Sequence, residues 1–455
     1  MQSNQHKLSF FAIFSLVVGS LMGAGIFDIP QNIAHSSGTP AIVISWGITA
    51  IGMFTMVLSM LYVNKCKPEI ENGIYGYAKH GFGDKVAFNL AWGYWLSANI
   101  GTMGYFTYIF SSLSGFKLFG YFGDGNNLIS LFCGSILLWA IYFLICRGIK
   151  EASITNVIIT ILKIVSLVFI LCAFLYFFNW QQFMINFHND SAISAREFLQ
   201  ETRSTMMVTV WDFLGIECAL VLASRALHKR YVKSATLLAL LLVITITSSL
   251  SLLSLGILPT SLISHLHTPS TTGILEYCLH GIKLLGIFSV ADLVRIAIII
   301  SVLGALLAWV LSATHVLFEA AIDGTMPKKI SQLNKKHVPN LALLLTVMFL
   351  QIGLIVSYFT QSLYIILIQI SASMLLFPYL LTVFYACKLS FTTKNGKQNN
   401  ISTKQSALYK VINTLAVIYV IWLIYAGGLF YFGISMGLYA LGNVFYSYYK
   451  KRQDI

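Results

Sequence analysis

GSLMGAGIFDIPQNIA, residues 19–34, places three glycines and a proline inside an apolar run that begins at Leu8. Small residues four apart, as at Gly19 and Gly23, let two helices approach closely, and that is one use of the stretch. The other is a helix that unwinds at Gly25 and resumes near Pro30, baring backbone N–H and C=O groups in the middle of a membrane span. A second small-residue break, Phe213-Leu214-Gly215-Ile216, interrupts the sixth apolar run. Paired interruptions five helices apart are the sequence pointer to a transporter built from inverted repeats.

The rest of the chain sets the solvent. Of its 455 residues 57% are hydrophobic and only 10% charged, and the mean hydropathy is +0.78. So much apolar surface does not fit inside a soluble core, and lipid must take up the remainder. Spans, each needing roughly 20 apolar residues, are expected near 10–34, 40–64, 86–116, 128–146, 153–178, 204–224, 233–258, 291–322, 340–359, 362–387, 408–427 and 430–449. The first is read as a retained helix, since no A-x-A-like cleavage site precedes Gln31 and Asn32. Residues 69–85, 180–203 and 259–283 are too polar to span and read as loops or interfacial helices.

A net charge of +13 could suggest a nucleic-acid partner, but orientation explains it better. With the N-terminus inside, inward loops and tails hold 23 of the 29 basic residues, and only Lys117, Arg196, Arg203 and Lys283 fall outside. An even number of spans with both termini cytoplasmic follows. No nucleic acid, cofactor or metal is implied. The seven cysteines form no CxxC pair, and HExxH, P-loop and Rossmann patterns are absent. Gly433-Ile-Ser435-Met-Gly437 fits GxSxG but lies within an expected helix, without the strand–turn–helix setting a nucleophile needs.

Asp28, Asp212, Glu217, Glu319 and Lys163 fall within expected spans. An ionisable group there costs several kcal/mol unless paired or hydrated, so function is the default reading. Glu319, with Asp323, reads as an interfacial ion-pair partner, and His315 as a packing histidine. Asp28 and Asp212 stand beside the two breaks and either face the substrate path, pair with Lys163 or look into a watery vestibule.

GSLMGAGIFDIPQNIA, GIYGYAKHGFG (73–83), AWGYWLSANIG (91–101), RGIKEASITN (147–156), VTVWDFLGIECALVLASRA (208–226) and the stretch 309–327 occur in order along the chain. In these the chain resembles the basic amino acid/polyamine antiporters of the amino acid–polyamine–organocation superfamily, above all its arginine/ornithine and arginine/agmatine exchangers. The resemblance runs end to end. It implies an all-α, LeuT-type fold of about twelve helices with helices 1 and 6 broken, the first repeat at 8–178, the second at 204–387 and two extra helices at 408–449.

It also implies a site. Ala24 and Gly25 match positions that hold the substrate carboxylate, although arginine/agmatine members carry serine where this chain has Ala24. Leu21, Trp211 and Leu214 match positions whose carbonyls receive the α-amino group. Trp211 and Trp309 match aromatics that stack on a guanidinium or gate the site, a use suited to cation–π attraction; met cold, an intramembrane tryptophan is more often packing. Ala98 and Thr102 match positions along the substrate's stem and head group. Asp28 and Asp212 both depart from the neutral residues usual in close relatives, and a carboxylate at one of the breaks, tested at Asp212, would favour a cationic substrate. Glu217 matches a glutamate tied to proton or gating behaviour, with a carboxyl bonded to backbone as the plain alternative. Lys163 resembles a lysine whose ammonium stands where sodium-coupled relatives bind sodium; its plain alternative is snorkelling.

The expected function is therefore exchange of a cationic amino acid for a related amine or amino acid, with proton-coupled uptake as the alternative and a homodimer as an expectation by analogy. A membrane enzyme would need convergent His, Ser or metal ligands that the sequence lacks. A transporter-derived sensor would be separated from a transporter by flux into proteoliposomes.

Overall fold

The computed structural model describes residues 9–70, 72–147, 150–190, 194–217, 220, 226–266, 269–279, 283–284, 288–359, 363–392 and 403–453. Cys218, Arg225 and parts of the 147–156 and 208–226 motifs lie outside the described residues. Among the described residues seventeen helices succeed one another: α1 (Phe10–Leu21), α2 (Ile29–Ser36), α3 (Thr39–Cys66), α4 (Gly73–Phe82), α5 (Asp84–Ser114), α6 (Leu128–Cys146), α7 (Lys150–Phe177), α8 (Trp180–Asn189) and α9 (Ala195–Trp211) come first. Then come α10 (Lys229–Ser254), α11 (Thr260–Ile263), α12 (Ser270–Cys278), α13 (Val290–Ile322), α14 (Asn340–Phe359), α15 (Leu363–Thr392), α16 (Thr403–Ala426) and α17 (Leu429–Gln453). Among the described residues the only β structure beyond an isolated bridge is a two-residue ribbon, Lys283–Leu284 against Phe288–Ser289.

Nine helices among the described residues are long and apolar enough to cross a membrane. α5, with 31 residues, is long enough but diluted by small and polar side chains. The two interrupted segments, α1 with α2 and α9 with the turns after it, complete the expected twelve. α9 starts at Ala195, earlier than the apolar pattern that begins near 204. The cause is local: Ser194 and Glu197 form a capping box that satisfies the first-turn amides of a helix whose opening turns are polar.

α5 is the packing hub, with its most extensive contacts to α13 and α15. Its burial runs around most of its circumference, which marks a core helix rather than an amphipathic one. Its closest approaches use small residues: a Cβ on Gly93 would collide with Tyr439, and one on Gly101 with Trp211. Apolar side chains point outward on α6 (Phe132, Ile136, Phe143), α10 (Leu238, Leu241) and α16 (Val411, Ile418), where lipid is their partner.

Polar ties cluster where spans end. Asp190 Oδ2 accepts from Thr39 N and Thr39 Oγ1, both at 2.9 Å, and from Thr260 Oγ1 at 3.2 Å, while Glu201 Oε2 accepts from Gly38 N at 3.0 Å. At the opposite ends of the spans, as the threading requires, Asp323 binds Lys79 Nζ at 2.6 Å and the Tyr75 hydroxyl at 2.7 Å. Asp323 is thus an ion-pair partner, as its position suggested. Glu319 pairs with His315 at 3.4 Å. His315 is 40% exposed at its side chain and is not the packed histidine expected from sequence, because it sits one turn from that carboxylate on the face α13 leaves open.

Arg295 sits near the start of α13, its side chain only 7% exposed, bound to Glu276 at 2.6 Å and Asp292 at 2.8 Å. Arg295 is the buried partner while Glu276 is half exposed, so water screens part of the attraction and removing the guanidinium costs less than breaking a fully buried pair. Arg295→Ala is expected to lower the apparent melting temperature in detergent, with Asp292→Asn recovering part of the loss. An unchanged melting temperature would show that the cluster adds nothing to stability.

Candidate functional site

α1 stops at Leu21 because Gly23 and Gly25 hold no helix well and Pro30 is suited to the first turn of the next one. Between them runs a single turn, Gly25–Phe27, closed by Phe27 N to Ala24 O at 3.2 Å and Asp28 N to Gly25 O at 2.9 Å. Among the described residues the Gly25 and Ile26 amides find no acceptor. The Met22 carbonyl accepts from the ammonium of Lys163, which reaches it from α7. Lys163 is 1% exposed, so it does not snorkel; its charge is spent on the bared backbone of the break.

α9 gives way to turns over residues 212–217. Gly215 adopts φ +105°, a conformation that L side chains rarely take. Its carbonyl accepts from Ser20 Oγ at 3.1 Å, so the sixth-span break lies directly against the first. Glu217, fully buried, accepts from Gly215 N at 3.1 Å and from the Tyr379 hydroxyl at 2.5 Å, both at Oε2. The plain reading, a carboxyl bonded to backbone, describes this geometry.

A narrow cavity opens where the breaks meet. The structure brings Leu21, Gly25, Ala98, Thr102, Trp211, Asp212, Leu214 and Trp309 to its wall. Trp211 lies across it: a Cβ on Gly25 would stand 2.8 Å from the indole Cδ1 and Nε1, and one on Gly101 2.7 Å from Cη2. Trp309, from α13, is 9% exposed and tilts toward Tyr94 with ring centroids 6.5 Å apart. The Tyr105 hydroxyl stands against the Ala24 backbone and the Trp309 indole.

Three expected residues are not on that wall. Ala24 is fully buried elsewhere: in a turn of about three residues neighbours face different ways, so Gly23 and Gly25 reach the cavity and the residue between them does not. Glu217 and Lys163 brace the two breaks from behind. Asp28, left open by the sequence, is also off the wall; its Oδ1 accepts from Ser270 N at 2.6 Å, tying the first break to α12.

Sequence reasoning missed Tyr105, Ser97 and Ser371, all on the wall. Ser97 donates to the Ser371 carbonyl at 2.6 Å and Ser371 returns a bond to the Ser97 carbonyl at 2.8 Å, locking α5 to α15. The spacing of Ser97, Gly101 and Tyr105 at four-residue steps on one helix face was the available signal. Ser371 offered none, since only tertiary packing sets it opposite Ser97. Among the described residues no His, Cys, Asp or Glu cluster could hold a metal ion.

The chain matches the amino acid permease family over residues 8–446. It is similar to an arginine/ornithine antiporter of Pseudomonas aeruginosa, 37% identical over 98% of this chain and 91% of that protein. It is also similar to an arginine/agmatine antiporter of Chlamydia pneumoniae, 34% identical over 97% of this chain and 89% of that one.

Gly25 is the point of closest approach between the two breaks. Gly25→Ala would press a methyl against the Trp211 indole and Asp212 Oδ1. The folded protein is expected to survive while binding of arginine, used as the probe because the similar proteins are named for it, falls about tenfold, the equivalent of about 1.4 kcal/mol. Titration calorimetry of the purified variant checks this, and wild-type affinity would separate Gly25 from the site.

Proposed function

The chain belongs to the amino acid permease family, and from that premise we propose that it exchanges a cationic amino acid, arginine foremost, for a related product such as ornithine or agmatine. The observation that carries this is the pairing of two broken helices around a cavity walled by two indoles and a buried carboxylate, Asp212. Indole faces attract a guanidinium or ammonium, and a carboxylate in a water-poor site disfavours an anionic substrate. The names of the similar proteins point to exchange rather than to proton-coupled uptake.

In this proposal the unpartnered Gly25 and Ile26 amides take the substrate carboxylate, and the carbonyls of Leu21, Trp211 and Leu214 take its α-amino group. Ala98 and Thr102 flank the aliphatic stem. Thr102 already donates its hydroxyl to the Ala98 carbonyl at 2.6 Å, which leaves it an acceptor toward the ligand. Trp309 stacks on the far cationic group. Residues 8–178 and 204–387 act as inverted repeats that rock around the cavity, with residues 408–449 outside the repeat. The inner membrane of a bacterium, with both termini on the cytoplasmic side, fits the lysine and arginine distribution.

Lys163 supplies, on this view, the positive charge that the first break needs. A fixed ammonium on the Met22 carbonyl makes a coupling sodium ion unnecessary there.

Uptake of labelled arginine into proteoliposomes preloaded with buffer, arginine, ornithine or agmatine is the deciding measurement. Strong acceleration by at least one internal substrate is expected, undiminished when choline replaces sodium. Equal uptake into empty and loaded vesicles would remove the exchange reading, and loss in choline would remove the role given to Lys163. Trp309→Ala should weaken arginine binding by about 1 to 2 kcal/mol, the scale of a desolvated cation–π contact. Its effect on a neutral amino acid of similar length should be smaller, and calorimetry on both ligands separates stacking from lost packing.

A further inference from the structure

We infer that Asp212 keeps the charge of the occupied site constant: an α-amino acid binds together with a proton on Asp212, and the decarboxylated amine binds with Asp212 ionised. The inference rests on the exchange proposal above and deepens it by assigning the ion that moves with each substrate.

Asp212 is the first residue past α9, 4% exposed, and it lines the cavity. Its Oδ2 finds no hydrogen-bond partner among the described residues. Its Oδ1 lies 2.9 Å from where a Cβ on Gly25 would stand. Gly25 also carries one of the two amides without an acceptor, the donors to which a substrate carboxylate would go. An anion seat and a carboxylate therefore share one side of a single cavity.

No protein cation resolves that conflict among the described residues. From α7, Lys163 is turned to the Met22 carbonyl. From the first-span break, Asp28 is held by Ser270 N, and within the sixth-span break Glu217 is held by Gly215 N and Tyr379. α5 presents the Tyr105 hydroxyl within electrostatic reach of Asp212, α13 presents the neutral Trp309, and α15 the neutral Ser371. The charged residues of α9, Arg196, Glu197, Glu201 and Arg203, all lie in its first half, away from Asp212; Glu197 is engaged with Ser194, Glu201 with Gly38 and Arg203 with Tyr425.

A substrate carboxylate on the Gly25 amide would stand beside the Asp212 carboxylate, and like charges that close repel strongly where water is scarce. Like-charged carboxyls this close are relieved by one proton between them. Arginine carries one net positive charge, and with Asp212 protonated the complex carries one. Agmatine carries two, and with Asp212 ionised the complex again carries one. The proton is taken from water on the side to which the cavity opens and is returned to water where the amino acid leaves. Exchange of arginine for agmatine then moves arginine and a proton one way and agmatine the other, with no net charge transferred. Arginine–ornithine exchange carries a proton with each substrate and is also neutral.

The proton count is measurable on the wild-type protein by calorimetry in buffers of different ionisation enthalpy. Arginine should take up about one proton more than agmatine does, and the ratio of their dissociation constants, arginine over agmatine, should rise about tenfold per pH unit across the neutral range. Asp212→Asn should abolish the difference, flatten the ratio and make arginine–agmatine exchange current-carrying in proteoliposomes. Equal proton counts for the two ligands in wild type overturn the inference, as does a variant that keeps the wild-type difference. If Asp212→Asn fails to fold, the wild-type proton count decides alone. A proton difference on binding without counter-transport keeps this site chemistry and sinks the exchange proposal; counter-transport with equal proton counts does the reverse.

Discussion

Everything in this transporter depends on satisfying backbone groups where two helices stop inside a membrane. Water is scarce there, and an orphaned amide or carbonyl costs several kcal/mol. The chain answers with side chains brought from other helices. Lys163 donates to the Met22 carbonyl, Ser20 to the Gly215 carbonyl, and Glu217 with Tyr379 receives the Gly215 amide. These three supports come from α7, α1 and the 212–217 turns with α15, so the breaks are held by the bundle as a whole. Among the described residues the supports leave open the amides of Gly25 and Ile26, the groups to which the proposed function assigns the substrate carboxylate.

The same device links the breaks to the ends of the spans. Asp28 and Gln31, just past the first break, bind α12 and the chain before it through Ser270 and the Leu266 carbonyl. Farther along the same segment, Ser37, Gly38 and Thr39 are held by Glu201, Thr205 and Asp190. These bonds tie α2 to α8, α9 and the loop helices by a route that does not pass through the cavity. At the other end of the bundle the contact of α4 with Asp323 joins a different set of elements. Rigid-body rocking needs such separate sets of ties, since packed elements switch between arrangements rather than deform.

Of the three residues at which the chain departs from the pattern it resembles, Ala24, Asp28 and Asp212, the fold turns only Asp212 to the cavity. Ala24, where arginine/agmatine members carry serine, is buried off the wall, so the methyl costs the cavity nothing. Asp212 changes more: it sets an unpartnered carboxylate beside the donors of the first break. Discrimination between an amino acid and its decarboxylated product is hard to achieve by shape, because the two share stem and head group. The two differ by a carboxylate, so a charged group beside its seat discriminates where shape does not.

The sequence alone determined that lipid is the solvent, that twelve segments cross it, and that the first and sixth are interrupted. Apolar runs, glycines and Pro30 act through local rules, which hold wherever the segment ends up. The ordered motifs around Gly25, Trp211 and Trp309 likewise carried the residues that the structure brings to one cavity. Tertiary structure decided the rest. Whether Asp28 or Asp212 faces the cavity depends on which partner each finds, and only folding brought Ser270 to the one and left the other facing the cavity. Ala24 reads as a site residue until the tight turn rotates it into the core. Ser371 is inconspicuous in its own helix and meaningful only opposite Ser97. Local pattern fixes where a helix begins and breaks; which polar group stays unpaired is a property of the packed whole, because pairing is a contest among all the donors and acceptors that folding brings within reach.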